Sequence, residues 1–169
     1  QLLGRSASGE KEQYYATMLN DSAQYLSTLI GDILDFSKIE AGKMELSEES
    51  FDLLPIIDSV MTIYGLKAQE KGIELKKAID PSAKRYLYGD PVKIRQIISN
   101  LVNNAIKFTE SGYVSIEVRS ELPEPTDGEQ MVILHITVSD TGIGIPEKDL
   151  PNLFESFTQV DSSPSKSYQ

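Results

Sequence analysis

Cysteine is absent from these 169 residues, which excludes disulfides and thiolate metal sites and fits the cytosol. Histidine occurs once, so a histidine-rich metal site is excluded as well. No apolar run approaches the length of a membrane span and no stretch reads as a signal peptide, so a cytoplasmic location without direct membrane contact is expected. Positive charge is scarce: 16 Lys and Arg stand against 26 Asp and Glu, a formal net charge of −10 that argues against nucleic acid and anionic membrane as partners. The same excess disfavours an anionic nucleotide at long range. Any phosphate site must then be built locally, from lysines, backbone N–H groups and a divalent cation. What remains is ordinary soluble composition, 40% hydrophobic and 25% charged, enough for one cored domain with an appendage.

The most informative stretch is Asp90 to Thr109, DPVKIRQIISNLVNNAIKFT. Asp90 can cap a helix, and Pro91 sits where its missing N–H costs nothing. At about 100° per residue, Ile94, Ile97, Ile98, Leu101, Ala105 and Phe108 are expected inward, with Gln96, Asn100, Asn103, Asn104 and Lys107 opposite. Asparagine is a middling-to-poor helix former, so three of them in one helix interior ask for an explanation. An amide carbonyl is a neutral, hard oxygen ligand, and magnesium is commonly held by few protein ligands together with phosphates and water. Asn100 and Asn104, one turn apart, can point side by side at such an ion, with Lys107 in reach of the same phosphates. The alternative is a solvated face that happens to be rich in Asn.

Upstream, Gln1 to Gly9 carries the turn-like GRSASG, and a long helix is expected from Glu10 to about Leu46. Tyr15, Leu19, Ser22, Leu26, Leu29, Ile33 and Phe36 form a heptad seam, widened by Met18, Tyr25, Ile30, Leu34 and Ile39. So broad a seam suits a four-helix bundle, and homodimerisation covers it most economically. The alternative is a helix folded onto its own domain. Beyond the polar joint Ser47–Ser50 the pattern is mixed α/β. Strands are expected at Phe51–Leu54, Ile73–Ile79 and Arg85–Tyr88. A helix is expected at Pro55–Lys71, with Ile56, Val60, Ile63 and Tyr64 inward and Gly72 ending it. Tyr113–Arg119 and Met131–Ser139 are expected to pair as a hairpin, with His135 a structural residue inside it.

The last strand runs into Asp140-Thr141-Gly142-Ile143-Gly144-Ile145-Pro146. Two glycines there let the backbone come close to a bound group. A carboxylate fixed at the strand end can accept a hydrogen bond from an exocyclic amine such as that of adenine. The alternative is a turn that uses Asp and Gly for their turn chemistry. Leu150, Leu153, Phe154 and Phe157 then form a short apolar cluster before a polar, Ser-rich tail.

Four motifs in this order resemble those of sensor histidine kinases, particularly the hybrid kind. DILDFSKIEAGKMEL is similar to the end of the second helix of their dimerisation hairpin, and GDPVKIRQIISNLVNNAIKFT to their asparagine box. SDTGIGIP is similar to their first glycine box, and LFESFTQVD to their phenylalanine box. The resemblance implies an α+β fold: an α/β sandwich, one mixed sheet with helices on one face, preceded by a long helix of a dimeric four-helix bundle. Residues 1–47 would be the dimerisation and phosphotransfer hairpin (tail of the first helix, loop, second helix), and 51–169 the ATP-binding catalytic domain. Asn104 with Asn100 would hold Mg2+ against ATP, Lys107 would contact phosphate, and Asp140 would read the adenine amine. Gly142 and Gly144 would make room for the nucleotide, Ile145 and Leu153 would wall the pocket, and Lys166 would stand in the ATP lid.

By the same resemblance, the γ-phosphoryl would pass to a histidine and then to an aspartate of a receiver domain, on a response regulator or on the same hybrid chain. The phosphoacceptor His of the family's first hairpin helix and its second glycine box are not in these residues, and His135 cannot stand in for the first. A piece of a longer protein is therefore expected. The rival expectation is a non-catalytic dimeric signalling module with a vestigial nucleotide site. An aspartic-protease half-site at Asp140-Thr141-Gly142 lacks the second hydrophobic-Gly strand that such a fold needs.

Overall fold

The structure, a computed structural model, describes residues 2–123 and 131–153. It divides into two compact units, Gln1–Leu46 and Ser47–Gln169. No helix among the described residues is long and apolar enough to cross a membrane.

The first unit is one helix, α1 (Leu2–Glu40). The turn expected within Gly4–Gly9, and with it a two-helix hairpin, is replaced by unbroken helix. Isolated glycines cost only ~1 kcal/mol each inside a helix, and no proline intervenes to force a break. The helix also ends before Leu46. Gly42 takes a φ of 63°, its N–H donates to the Ile39 carbonyl at 3.0 Å, and the Lys43 N–H donates to the Lys38 carbonyl at 2.8 Å. These paired bonds close the helix in a Schellman cap. Within this unit Leu19, Leu26, Leu29, Ile30 and Ile33 are exposed. The side chain of Tyr25 lies outside the described residues.

In the second unit, β1 (Glu49–Asp52) leads into α2 (Leu53–Glu70), followed by β2 (Ile73–Ile79), β3 (Tyr86–Gly89), α3 (Pro91–Phe108), β4 (Gly112–Glu121) and β5 (Ile133–Asp140). A short 3-10 turn, Glu147–Asn152, comes last. The mixed sheet has the order β2-β4-β5, with β2 parallel and β5 antiparallel to β4. β1 and β3 stand apart as a second, two-stranded antiparallel sheet. The expected hairpin is therefore present, while the expected single sheet is two.

One face of the mixed sheet is covered. Ile73, Val114, Ile116 and Val118 pack into a single core with Leu53, Ile56, Ile57 and Val60 of α2 and Ile98, Val102, Ala105 and Ile106 of α3. Of the alternate positions, Glu74, Lys76, Tyr113, Glu117 and Arg119 are exposed and Ser115 is buried, close to the period-2 signature of a sheet with one wet face. α2 begins earlier than expected because Asp52 caps it, accepting the Leu54 N–H at 3.1 Å. Pro55 then falls in the first turn, where no N–H is missed. The Arg85 guanidinium engages both oxygens of Asp52 at 2.6–2.9 Å, tying β3 to the start of α2. Ile63, expected inward, is 58% exposed, and its place is taken by Ile57 and Ala68.

α3 is rotated relative to expectation. Ile98, Val102, Ala105 and Ile106 are buried, whereas Ile97, Leu101 and Phe108 are 60%, 45% and 41% exposed. The helix has apolar residues over more than half its circumference. The arc centred on Ile98 and Val102 faces the sheet and α2, and the rest looks outward beside Asn100 and Asn104.

Candidate functional site

The site is built around the two ends of α3. At its start, Asp90 Oδ1 accepts the N–H groups of Val92 and Lys93, both at 3.0 Å. Its second oxygen accepts the Ser47 N–H at 3.0 Å. One nearly buried carboxylate thus caps the helix and anchors the first residue of the second unit. The Lys93 and Ser47 N–H bonds hold its pKa below the usual carboxylate range, against the opposing effect of burial.

At its other end, α3 meets the segment that follows β5. The Phe108 carbonyl accepts the Ile143 N–H at 3.3 Å. Asp140 Oδ1 accepts the Gly142 N–H at 2.8 Å. A Cβ placed on Gly142 would stand 2.5 Å from the Phe108 carbonyl oxygen and 2.8 Å from Asp140 Oδ1. Both oxygens therefore crowd the same Cα, and only glycine lets the helix end, the carboxylate and the loop meet there. The register agrees: Asp140 pairs with Val114, and Val138 with Ile116, so Asp140 lies on the helix-covered side of the sheet. Thr141 braces the loop from below. Its hydroxyl accepts the Tyr113 N–H at 3.0 Å and donates to the Ser111 carbonyl at 3.1 Å, packed against Gly112.

The three asparagines of α3 separate into two kinds. The Asn103 amide oxygen accepts a bond from Lys67 Nζ at 2.8 Å, joining α3 to α2. Asn100 and Asn104 are exposed and have no side-chain partner among the described residues. Lys107 is exposed as well, its ammonium 4.9 Å from the Phe108 ring centre. Asn104 and Lys107 lie in the last turns of α3, next to the contact with Gly142 and Asp140. Gly144, at a φ of 68°, sits in open space, followed by the half-exposed Ile145. Leu153 is half-buried, its N–H donating to the Leu150 carbonyl at 3.3 Å. Lys166, Phe154 and Phe157 lie outside the described residues.

This donor set suits a metal that arrives with its own phosphates. No cluster of three His, Cys, Asp or Glu able to hold an ion occurs among the described residues. Two unpartnered amide oxygens can complete a shell supplied mainly by a triphosphate and water, with the lysine beside them free to face phosphate. Two contributors went unseen in the sequence. Thr141 carried no motif-independent signal. In the sequence Lys71 is only the last residue of its expected helix, while its ammonium lies on the carbonyls at the end of α3.

Residues 89–169 match the family described as histidine kinase-, DNA gyrase B- and HSP90-like ATPase. The chain is 43% identical to the signal transduction histidine-protein kinase BarA of Escherichia coli (strain K12), over 86% of this chain and 15% of that protein. It is 38% identical to hybrid signal transduction histidine kinase B of Dictyostelium discoideum, over 99% of this chain and 8% of that protein. The chain carries a domain of this histidine kinase-type ATPase family. That domain lies in its second unit, and the chain spans less than a fifth of the length of either relative. A crystal structure of full-length ShkA in complex with AMPPNP is similar at 31% identity and a TM-score of 0.68, over 87% of this chain and 30% of that one.

Proposed function

We propose that this chain binds Mg·ATP between the outward side of α3 and the Asp140–Ile145 loop, and that it is the ATP-binding and dimerisation part of a kinase that phosphorylates a histidine. The observation that carries the proposal is the convergence at Gly142. The Phe108 carbonyl end of α3 and the Asp140 carboxylate meet at one Cα, with Asn104 and Lys107 on the adjoining turns. Asp140 would hold the adenine amine through Oδ2, the oxygen that accepts nothing among the described residues while Oδ1 holds the loop. Asn100 and Asn104 would face the metal through their amide oxygens, and Lys107 would lie against phosphate. Ile145, Leu153 and Lys166 would border the nucleotide.

Bound magnesium supplies charge neutralisation on the phosphate oxygens. The residues supply placement, which carries most of the acceleration in phosphoryl transfer. The γ-phosphoryl would go to a histidine outside these residues, since His135 is a residue within strand β5, 3.3 Å from the Glu121 carboxylate. A receiver-domain aspartate would follow. Homodimerisation through α1 is supported by its row of exposed Leu and Ile side chains.

A thermal-shift titration tests the nucleotide site. Mg·ATP at a hundredfold over Kd should stabilise the protein by about 2.7 kcal/mol. No shift would favour a dimeric signalling module with a vestigial site.

A further inference from the structure

The last turn of α3 sends its carbonyls in two directions. Ala105 accepts from Thr109 twice, from the N–H at 3.0 Å and from the hydroxyl at 2.7 Å. Lys71 Nζ, reaching over from the end of α2, donates to the carbonyls of Ile106 at 2.7 Å, Lys107 at 3.1 Å and Thr109 at 3.1 Å. The carbonyl left between them is that of Phe108, which accepts the Ile143 N–H at 3.3 Å. An ammonium has three donors, and here all three are spent on the final turn of one helix. The charge also stands at the negative pole of α3, where a cation is favoured.

We propose that Lys71 is a positioning residue for the nucleotide site, and the proposal rests on the site argued above. By taking the carbonyls on both sides of Phe108, it fixes the peptide planes that aim the Phe108 oxygen at Ile143. That oxygen in turn sets how closely Gly142 and Asp140 approach Asn104 and Lys107. Lys71 itself touches no nucleotide. Without its ammonium, the carbonyls of Ile106 and Thr109, residues with no exposed surface, lose this donor and must shift to reach water. The last turn then loosens locally while the core below Ile106 stays packed. Arginine keeps the charge but offers a planar fork in place of three diverging donors, so it restores the geometry only in part.

The test uses the whole chain and two readouts. In Lys71→Met without nucleotide, hydrogen exchange at the Ile143 amide should quicken about tenfold relative to amides in the middle of β4. The Kd for Mg·ATP should rise about tenfold, as is typical when a supporting partner of a binding group is removed. Lys71→Arg should recover part of both. Unchanged Ile143 exchange in a folded Lys71→Met protein would overturn the proposal, and so would faster exchange with an unchanged Kd. Should Lys71→Met not fold, wild-type values of both readouts in Lys71→Arg would equally overturn it. A wild-type chain that binds no Mg·ATP removes the site itself. That failure is distinct, because the exchange readout needs no nucleotide.

Discussion

Gly142 lies so close to the carbonyl oxygen of Phe108 that a methyl group on it would approach that oxygen to 2.5 Å. The end of a helix and the loop after a strand are thereby joined, although β4 and β5 separate them in sequence.

Gly142→Ala should push the loop away from α3. Overpacking of this kind costs about 1–3 kcal/mol, and Mg·ATP affinity should fall with it. Gly144→Ala meets open space but keeps a left-handed φ of 68°, so it should cost only ~1 kcal/mol of backbone strain. Urea unfolding and nucleotide titration of the two variants, side by side, check the contrast. Equal effects on both readouts would contradict it.

Asn104→Asp and Asn103→Ala should separate binding from stability. Asn104 is exposed and unpartnered, so the change should alter stability by no more than ~0.5 kcal/mol. It should weaken Mg·ATP binding about tenfold or more, by setting a carboxylate against the triphosphate. Asn103→Ala removes the Lys67 bond, should cost up to ~1 kcal/mol, and should leave affinity unchanged. Calorimetric titration and thermal melts read both quantities.

Periodicity orders side chains around a helix but does not fix which way the helix is turned. Ile97, Leu101 and Phe108 belong to an apolar arc as good as the buried one, and the choice was made by the sheet and α2. Ile63 was misplaced for the same reason. Strands β2, β4 and β5 were legible from alternation and turn residues, whereas the roles of Asn100, Asn104, Lys107, Asp140 and Gly142 rest on side-chain chemistry and motif resemblance and belong to the proposal above. Lys71 was not legible, because its partners are backbone carbonyls of another helix, and no pattern in its own neighbourhood encodes them.

Acid should destabilise the second unit partly through Asp90. Its folded-state pKa is depressed by the Lys93 and Ser47 N–H bonds. Its stabilisation is therefore complete above the unfolded value of about 3.9 and fades as the pH drops through the lower folded value. Asp52, beside Arg85, and Asp80, bonded to Ser82, act in the same sense. Asp90→Asn keeps a competent cap but loses this dependence. Its deficit against wild type should be largest near neutral pH and shrink toward pH ~2. Urea midpoints across that range decide, and a deficit independent of pH would exclude the linkage.

Leu29→Glu should leave the second unit folded and abolish self-association of the first. A charge in the exposed row formed by Leu26, Leu29 and Ile33 cannot be desolvated cheaply in a helix bundle. Light scattering on wild type and variant measures it, and identical masses would remove α1 as the dimer contact.

The pairing of Asp140 with Val114 has an evolutionary consequence. Because successive strand residues alternate between faces, a single residue inserted within Ile133–Asp140 would turn the carboxylate to the opposite side of the sheet. Insertions and deletions of one residue should therefore be selected against within Ile133–Asp140.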